Sequence, residues 1–267
     1  MAAAALGEGV ISPTDTVRCT GVYTYYDTVI EGNTFHPTCL GVHGDISLST
    51  ALTKSCNIFF YDVGRRTGID AINQYAQACG LGVSTGLELG GAVGTLSSPE
   101  HTASLGGNWT QGNVVQAAIG QMYTMVSPLQ MAVEAMTIAN RGTRYKTYLV
   151  DEVRSFDGSE LIEKTEPEVF SSFEMSESDF QAIKEGMVGV GLNLQDPAYA
   201  LVTLDYAVAV KTGTPQVTED TTNSCAIAFA PADNAEVSVA VMLEEGYGAS
   251  HLIRSILDAW EEEVRDP

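Results

Sequence analysis

Positive charge is scarce in this chain: 13 Lys and Arg stand against 34 Asp and Glu in 267 residues, for a formal net charge of −21. A protein that follows a phosphate backbone needs a basic stripe, and its absence excludes nucleic acid as a partner. The acidity reads as a solvated surface that keeps the protein soluble. Long apolar runs are missing as well, and nothing approaches the roughly 20 residues that cross a bilayer as a helix. Met1 to Leu6 is Ala-rich without a basic flank, so no secretory signal is read there, and taken literally the chain stays where it is made. Five cysteines are too few and too scattered for a disulfide scaffold. No repeat, low-complexity tract or linker interrupts the chain. With 45% hydrophobic and 18% charged residues it reads as one globular domain over residues 1–267.

Helix signals fill the first two thirds. Met1 to Gly7 reads as the tail of a helix ended by Gly7 and Gly9. Ser12 to Gly44, rich in Thr, Gly, Tyr and Pro, reads as an irregular excursion with at most one hairpin. Asp45 or Ser47 can cap a short helix to Lys54. A second helix spans Ile58 to Thr67 with Gly68 as its stop, and a third runs from Ile69 to Cys79 behind the cap candidate Asp70. Gly80 to Gly107 reads as loop. Ser127-Pro128 then opens the clearest helix, which Asn140-Arg141-Gly142 closes. Leu149 to Ser155 and Glu160 to Lys164 flank the turn Asp157-Gly158 as a hairpin does. Ser176 caps a helix reaching Met187.

The last third changes character. Tyr206 to Val210, Cys225 to Ala230 and Val237 to Leu243 are short β-rich runs, and a closing helix covers Ser250 to Val264. Helices first and antiparallel strands last predict an α+β domain, an antiparallel sheet covered by helices.

Two short motifs stand out: Ser55-Cys56-Asn57 at a helix junction, and Lys211-Thr212-Gly213-Thr214 at the end of a strand. Neither is specific alone. In this order and setting they resemble the second and third motifs of the penicillin-binding protein and serine β-lactamase superfamily. The likeness extends to Ala51-Leu52 through Tyr61, Val63-Gly64, Gly68-Ile69-Asp70, Ala118-Ile119-Gly120-Gln121, Ser127 through Ala132, and Asn140 with Gly142-Thr143. These stretches resemble class B penicillin-binding proteins in particular.

That resemblance implies the α+β D,D-transpeptidase fold and cross-linking of peptidoglycan stem peptides ending in D-Ala-D-Ala, with β-lactams as suicide substrates. It implies that Ser55 relays protons, that Asn57 orients the catalytic lysine and holds the substrate amide, and that Lys211 supplies positive potential for a carboxylate. Thr212 and Thr214 bind that carboxylate, Gly213 lets the strand approach the ligand, and the Thr214 N–H serves the oxyanion. It further implies a parent protein on the extracytoplasmic face of the membrane, working beside a membrane glycosyltransferase. A serine β-lactamase is the nearest enzymatic alternative, and a non-catalytic ligand-binding or scaffold module is the alternative from another class.

The family's nucleophile motif, Ser-x-x-Lys, is absent. The residues three before Lys54, Lys146, Lys164, Lys184 and Lys211 are Ala51, Thr143, Leu161, Gln181 and Val208. By resemblance the motif falls immediately before Met1, so the expectation is a fragment without its nucleophile and without the N-terminal strands. Smaller departures are Val208-Ala209-Val210 before Lys211, Met122 after Gly120-Gln121, and Pro215 after the third motif. The nucleophile-elbow pattern Gly82-Val83-Ser84-Thr85-Gly86 lies between a helix and a loop, so it reads as loop.

Cys19, Cys39, His43 and Cys56 are spaced as a wide Cys3His set. One reading is a structural Zn²⁺ that orders the excursion, and the family resemblance adds a metal near this position. The other is a Cys19–Cys39 disulfide with Cys56 as a small buried residue. Cys79 and Cys225 read as core.

Overall fold

The computed structural model describes residues 1–194, 199–218 and 220–265. Its first helix, α1 (Ala2–Gly7), is followed by β1 (Val17–Cys19), which pairs antiparallel with β2 (Gly44–Ile46) and so closes the excursion at its base. The excursion is less bare than its composition predicts. Tyr23, Tyr25, Tyr26 and Phe35 pack edge to face or tilted against one another and Tyr61, and Tyr26 is fully buried.

Helices α2 (Leu48–Thr53), α3 (Asn57–Thr67) and α4 (Ile69–Ala78) follow. Ser47 is the N-cap residue of α2, and Gly68 ends α3 and begins α4. Asp70 is therefore not the cap of α4; it lies inside the first turn, where a carboxylate still favours the helix dipole.

Two helices occupy the segment read as loop and its sequel. Pro99–Ser104 forms α5 behind a Ser98 cap, and Gln111–Ala118 forms α6 behind a Thr110–Asn113 capping box. Pro128–Ala139 is α7, with a full capping box between Ser127 and Gln130. Strand β3 (Thr143–Tyr145) pairs with β6 (Val169–Ser172), and between them β4 (Glu152–Arg154) and β5 (Leu161–Lys164) form the expected hairpin.

Helix α8 (Glu177–Asn193) runs beyond Met187, because its glycines are contacts rather than stops. A Cβ on Gly186 would lie 2.6 Å from Cβ of Leu52, and one on Gly191 would lie 2.6 Å from the Val208 carbonyl oxygen. Those close approaches seat α8 between α2 and the sheet.

The sheet contains β7 (Ala209–Gly213), β8 (Ser224–Ala230) and β9 (Val237–Leu243) in that order, all antiparallel. Among the described residues β9 carries no strand on its outer edge. Pairing Val210 with Ala228, Ala226 with Val241 and Ala228 with Val239 places these side chains on one face. There they pack with Ile253 and Leu257 of α9 (Ala249–Trp260), both fully buried one turn apart. Ala209, Ile227 and Phe229 alternate to the other face and join the core of α1, α2 and α3. Lys211 and Gly213 share that second face with Ala209, which turns the third motif toward the helical lobe.

Among the described residues no helix is long and apolar enough to cross a membrane. The stretch Gly82 to Gly86 is non-helical and non-strand, as the dismissal of the elbow motif requires.

Candidate active site and metal centre

Ser55 sits in a turn that few residues tolerate. Helix α2 ends in a Schellman arrangement: the Cys56 N–H donates to the Ala51 carbonyl at 2.9 Å and the Ser55 N–H to the Leu52 carbonyl at 3.2 Å. The position between them takes a left-handed conformation, normally left to glycine. Here it is Ser55, at φ +47°. A β-carbon there costs roughly 1 kcal/mol or more, strain that clusters at functional sites.

That turn aims the Ser55 hydroxyl at the sheet. Lys211 Nζ donates to Ser55 Oγ at 2.6 Å and to the carbonyl of Thr212 at 2.6 Å. Burial lowers the Lys211 pKa from the usual ammonium value, with the Cys225 side chain pulling the other way. The two motifs thus meet, 156 residues apart in sequence. Thr212 is half-buried and Thr214 exposed at the strand end. Asn57 points elsewhere in this state: its Nδ2 donates to the Thr38 carbonyl at 3.2 Å, tying the second motif to the excursion.

One expectation needs correction here. A Cβ on Gly213 would meet Cys225 Sγ at 2.6 Å, so the thiol across the β7–β8 ladder is a reason for glycine in addition to the approach of a ligand. Cys225 is accordingly not a core residue. It is half-buried beside Lys211, on the face that carries the motif, and burial raises its pKa while Lys211 opposes the rise.

Cys19, Cys39, His43 and Cys56 converge, with all four ligand atoms within 4.8 Å of one another. His43 Nδ1 lies 3.6 Å from Cys19 Sγ and 3.7 Å from Cys39 Sγ, and the Sγ atoms of Cys39 and Cys56 are 3.8 Å apart. A tetrahedron with Zn–S near 2.3 Å and Zn–N near 2.0 Å has S···N and S···S edges of about 3.5 and 3.8 Å. The donor set therefore fits Zn²⁺. All the cysteines are free thiols, so the Cys19–Cys39 disulfide is not formed. Burial opposes ionisation of Cys39, yet the N–H groups of Gly41, Ile58 and Asn57 outweigh it and lower its pKa. Burial pushes Cys56 up to about 12.

The family model for the penicillin-binding protein transpeptidase domain matches residues 1–258. The chain belongs to that family. It is 30% identical over 234 residues to penicillin-binding protein 2A of Bacillus subtilis, covering 76% of this chain and 31% of the relative. It is also 30% identical over 240 residues to the peptidoglycan D,D-transpeptidase MrdA of Escherichia coli K12, covering 81% and 37%. The chain thus spans about a third of these relatives' length. Among solved structures it resembles penicillin-binding protein 2 of Pseudomonas aeruginosa in complex with WCK 5153, at TM-score 0.82 and 25% identity over 99% of this chain and 57% of that one. A ceftriaxone acyl-enzyme of penicillin-binding protein A from Mycobacterium tuberculosis superposes at TM-score 0.79 with 27% identity, over 97% and 58%. The relatives are class B penicillin-binding proteins, and the mixed helix-and-sheet fold is theirs.

Proposed function

We propose that this chain forms most of the catalytic cleft of a peptidoglycan D,D-transpeptidase acting through an acyl-enzyme. The observation that carries the reading is the Lys211–Ser55 contact between the two family motifs. In this reading Lys211 attracts the substrate carboxylate, Thr212 and Thr214 bind it, and the Thr214 N–H receives the oxyanion. Ser55 passes protons beside the nucleophile, and Asn57 swings from Thr38 to the substrate amide. Gly213 keeps the strand free of a side chain where the ligand lies. The nucleophilic serine comes from a Ser-x-x-Lys outside these 267 residues, and without it the chain binds but does not turn over.

The whole protein then acts on the extracytoplasmic face of the bacterial membrane, on stem peptides supplied by a glycosyltransferase, and takes β-lactams as substrate mimics. A Helicobacter pylori penicillin-binding protein of the same fold, 20% identical to this chain, is itself solved in complex with MreC.

A structural Zn²⁺ at Cys19, Cys39, His43 and Cys56 belongs to the same proposal. Four protein ligands leave no open position for water, so the ion is not a catalyst. It fixes the middle residue of Ser55-Cys56-Asn57 to the excursion and so holds the Ser55 hydroxyl in register with Lys211.

The test is acylation of the full-length protein by a fluorescent penicillin. Lys211→Ala should slow it by orders of magnitude, whereas Lys184→Ala, whose ammonium pairs with Asp233 at 2.5 Å, should leave it unchanged. Equal rates for the two variants contradict the assignment.

A further inference from the structure

From Tyr148 to Phe170 the chain is turned outward: every residue except Ser155 and Thr165 is exposed. Large apolar side chains are concentrated there, among them Leu149, Val153, Phe156, Leu161, Ile162 and Val169. Phe156, at the hairpin tip, is 111% exposed, as free as in an extended peptide. Scattered surface apolar residues need no explanation, but their concentration on both faces of one arm does.

The arm is built, not loose. Asp157 Oδ1 accepts from Ser155 Oγ at 2.6 Å, Ser159 Oγ at 2.7 Å and the Ser159 N–H at 3.1 Å, closing the turn. Thr165 N–H donates to the Asp151 carbonyl at 2.7 Å at the other end of the hairpin. A two-stranded hairpin exposed on both faces is marginal alone and gains from a third strand. Among the described residues neither β4 nor β5 has a strand on its outer edge.

Charge decides what kind of strand. Between Asp151 and Glu168 there are seven carboxylates against Arg154 and Lys164 alone. A second copy would bring the same carboxylates on a chain of net charge −21, so self-pairing is repelled. Anionic lipid headgroups are repelled for the same reason. An extended polypeptide in which Lys or Arg alternates with aliphatic residues satisfies the edge, the apolar side chains and the field together.

We propose that the β4–β5 arm is a docking element, and that its occupant is a basic, apolar strand of another protein added to the hairpin edge. The proposal is independent of the transpeptidase reading, because no arm residue belongs to the second or third motif.

The probe is a short fluorescent peptide alternating lysine and valine, with a glutamate–valine twin, titrated against this chain by anisotropy. The lysine peptide should bind, more weakly as salt rises, and the twin should not. The variant F156S/L161S/I162S keeps every charge and should lose about tenfold or more in affinity. It should melt with the wild type, since these side chains are exposed. The proposal is overturned if the serine variant binds as tightly as wild type, if both peptides bind alike, or if neither does. A dimer of the chain that the serine substitutions abolish would overturn it too, by making a second copy the occupant.

Discussion

Lys211 Nζ and Ser55 Oγ lie 2.6 Å apart although 156 residues separate them, and this contact joins the helical lobe to the sheet at the cleft. The contact depends on a serine held at φ +47°, where glycine is the comfortable residue. Strain is thereby placed on the residue whose hydroxyl faces the lysine.

The strain can be measured. Ser55→Ala and Ser55→Gly both remove the hydroxyl, but only alanine keeps a β-carbon in the left-handed region. The glycine variant should be more stable by about 1 kcal/mol in denaturant melts, while both lose the same fraction of acylation rate in the full-length protein. Equal stabilities would mean that the turn carries no strain.

Lys211 should leave a pH signature. Its folded pKa is lowered by burial, so between that value and about 10.4 the unfolded chain binds more protons than the native one. The sign is fixed: the cost of burying the ammonium is fully present below the folded pKa and disappears as pH rises through this window. Lys211→Met should therefore be stabilised relative to wild type at neutral pH, with the difference shrinking toward pH 10. A difference that grows with pH contradicts the burial argument.

The Gly213–Cys225 pair predicts a rescue. Gly213→Ala places a methyl against the Cys225 sulfur, and such overpacking costs about 1–3 kcal/mol. Combining it with Cys225→Ala should recover most of that loss. A double-mutant cycle on urea melts reads the coupling directly, and simple additivity would show that the thiol is not the obstacle.

Much of the fold was legible in capping chemistry. Ser47, Ser127 and Ser176 all sit where the helices they open begin, because a cap is a local signal. Ser98-Pro99-Glu100 carries the same signal for α5, but the surrounding glycines made the segment read as loop. The β1–β2 pairing was invisible, since Val17 and Ile46 meet only through the tertiary fold. The end of α8 beyond Met187 was hidden for a related reason: Gly186 and Gly191 admit a neighbouring helix and strand, a role that depends on neighbours the sequence does not show. Cys225 was misplaced because a strand's face depends on register, which no local pattern states. The Cys3His set was legible as residue types at wide spacing, and its convergence required the fold.

The metal proposal has its own readout. Purified protein should contain one zinc per chain, and Cys39→Ser or His43→Ala should lower that stoichiometry. Adding Zn²⁺ to chelated protein should release protons, because thiolates and a neutral imidazole are the ligands. Chelation should loosen the excursion without unfolding it, since the tyrosine cluster around Tyr26 also holds it. Protein free of zinc with an unchanged melting temperature on zinc addition contradicts the site.

On the proposed function, this chain holds the second and third motifs of a transpeptidase cleft while the nucleophile lies outside it. Intact-mass spectrometry after incubation with penicillin tests this most directly, on the 267-residue chain and on a version extended by its native Ser-x-x-Lys segment. The shorter chain should show no adduct, because losing a serine nucleophile costs a factor of roughly 10⁶ in turnover. The extended chain should gain one penicilloyl mass. Stoichiometric labelling of a serine within these 267 residues, or no labelling of the extended chain, contradicts the account.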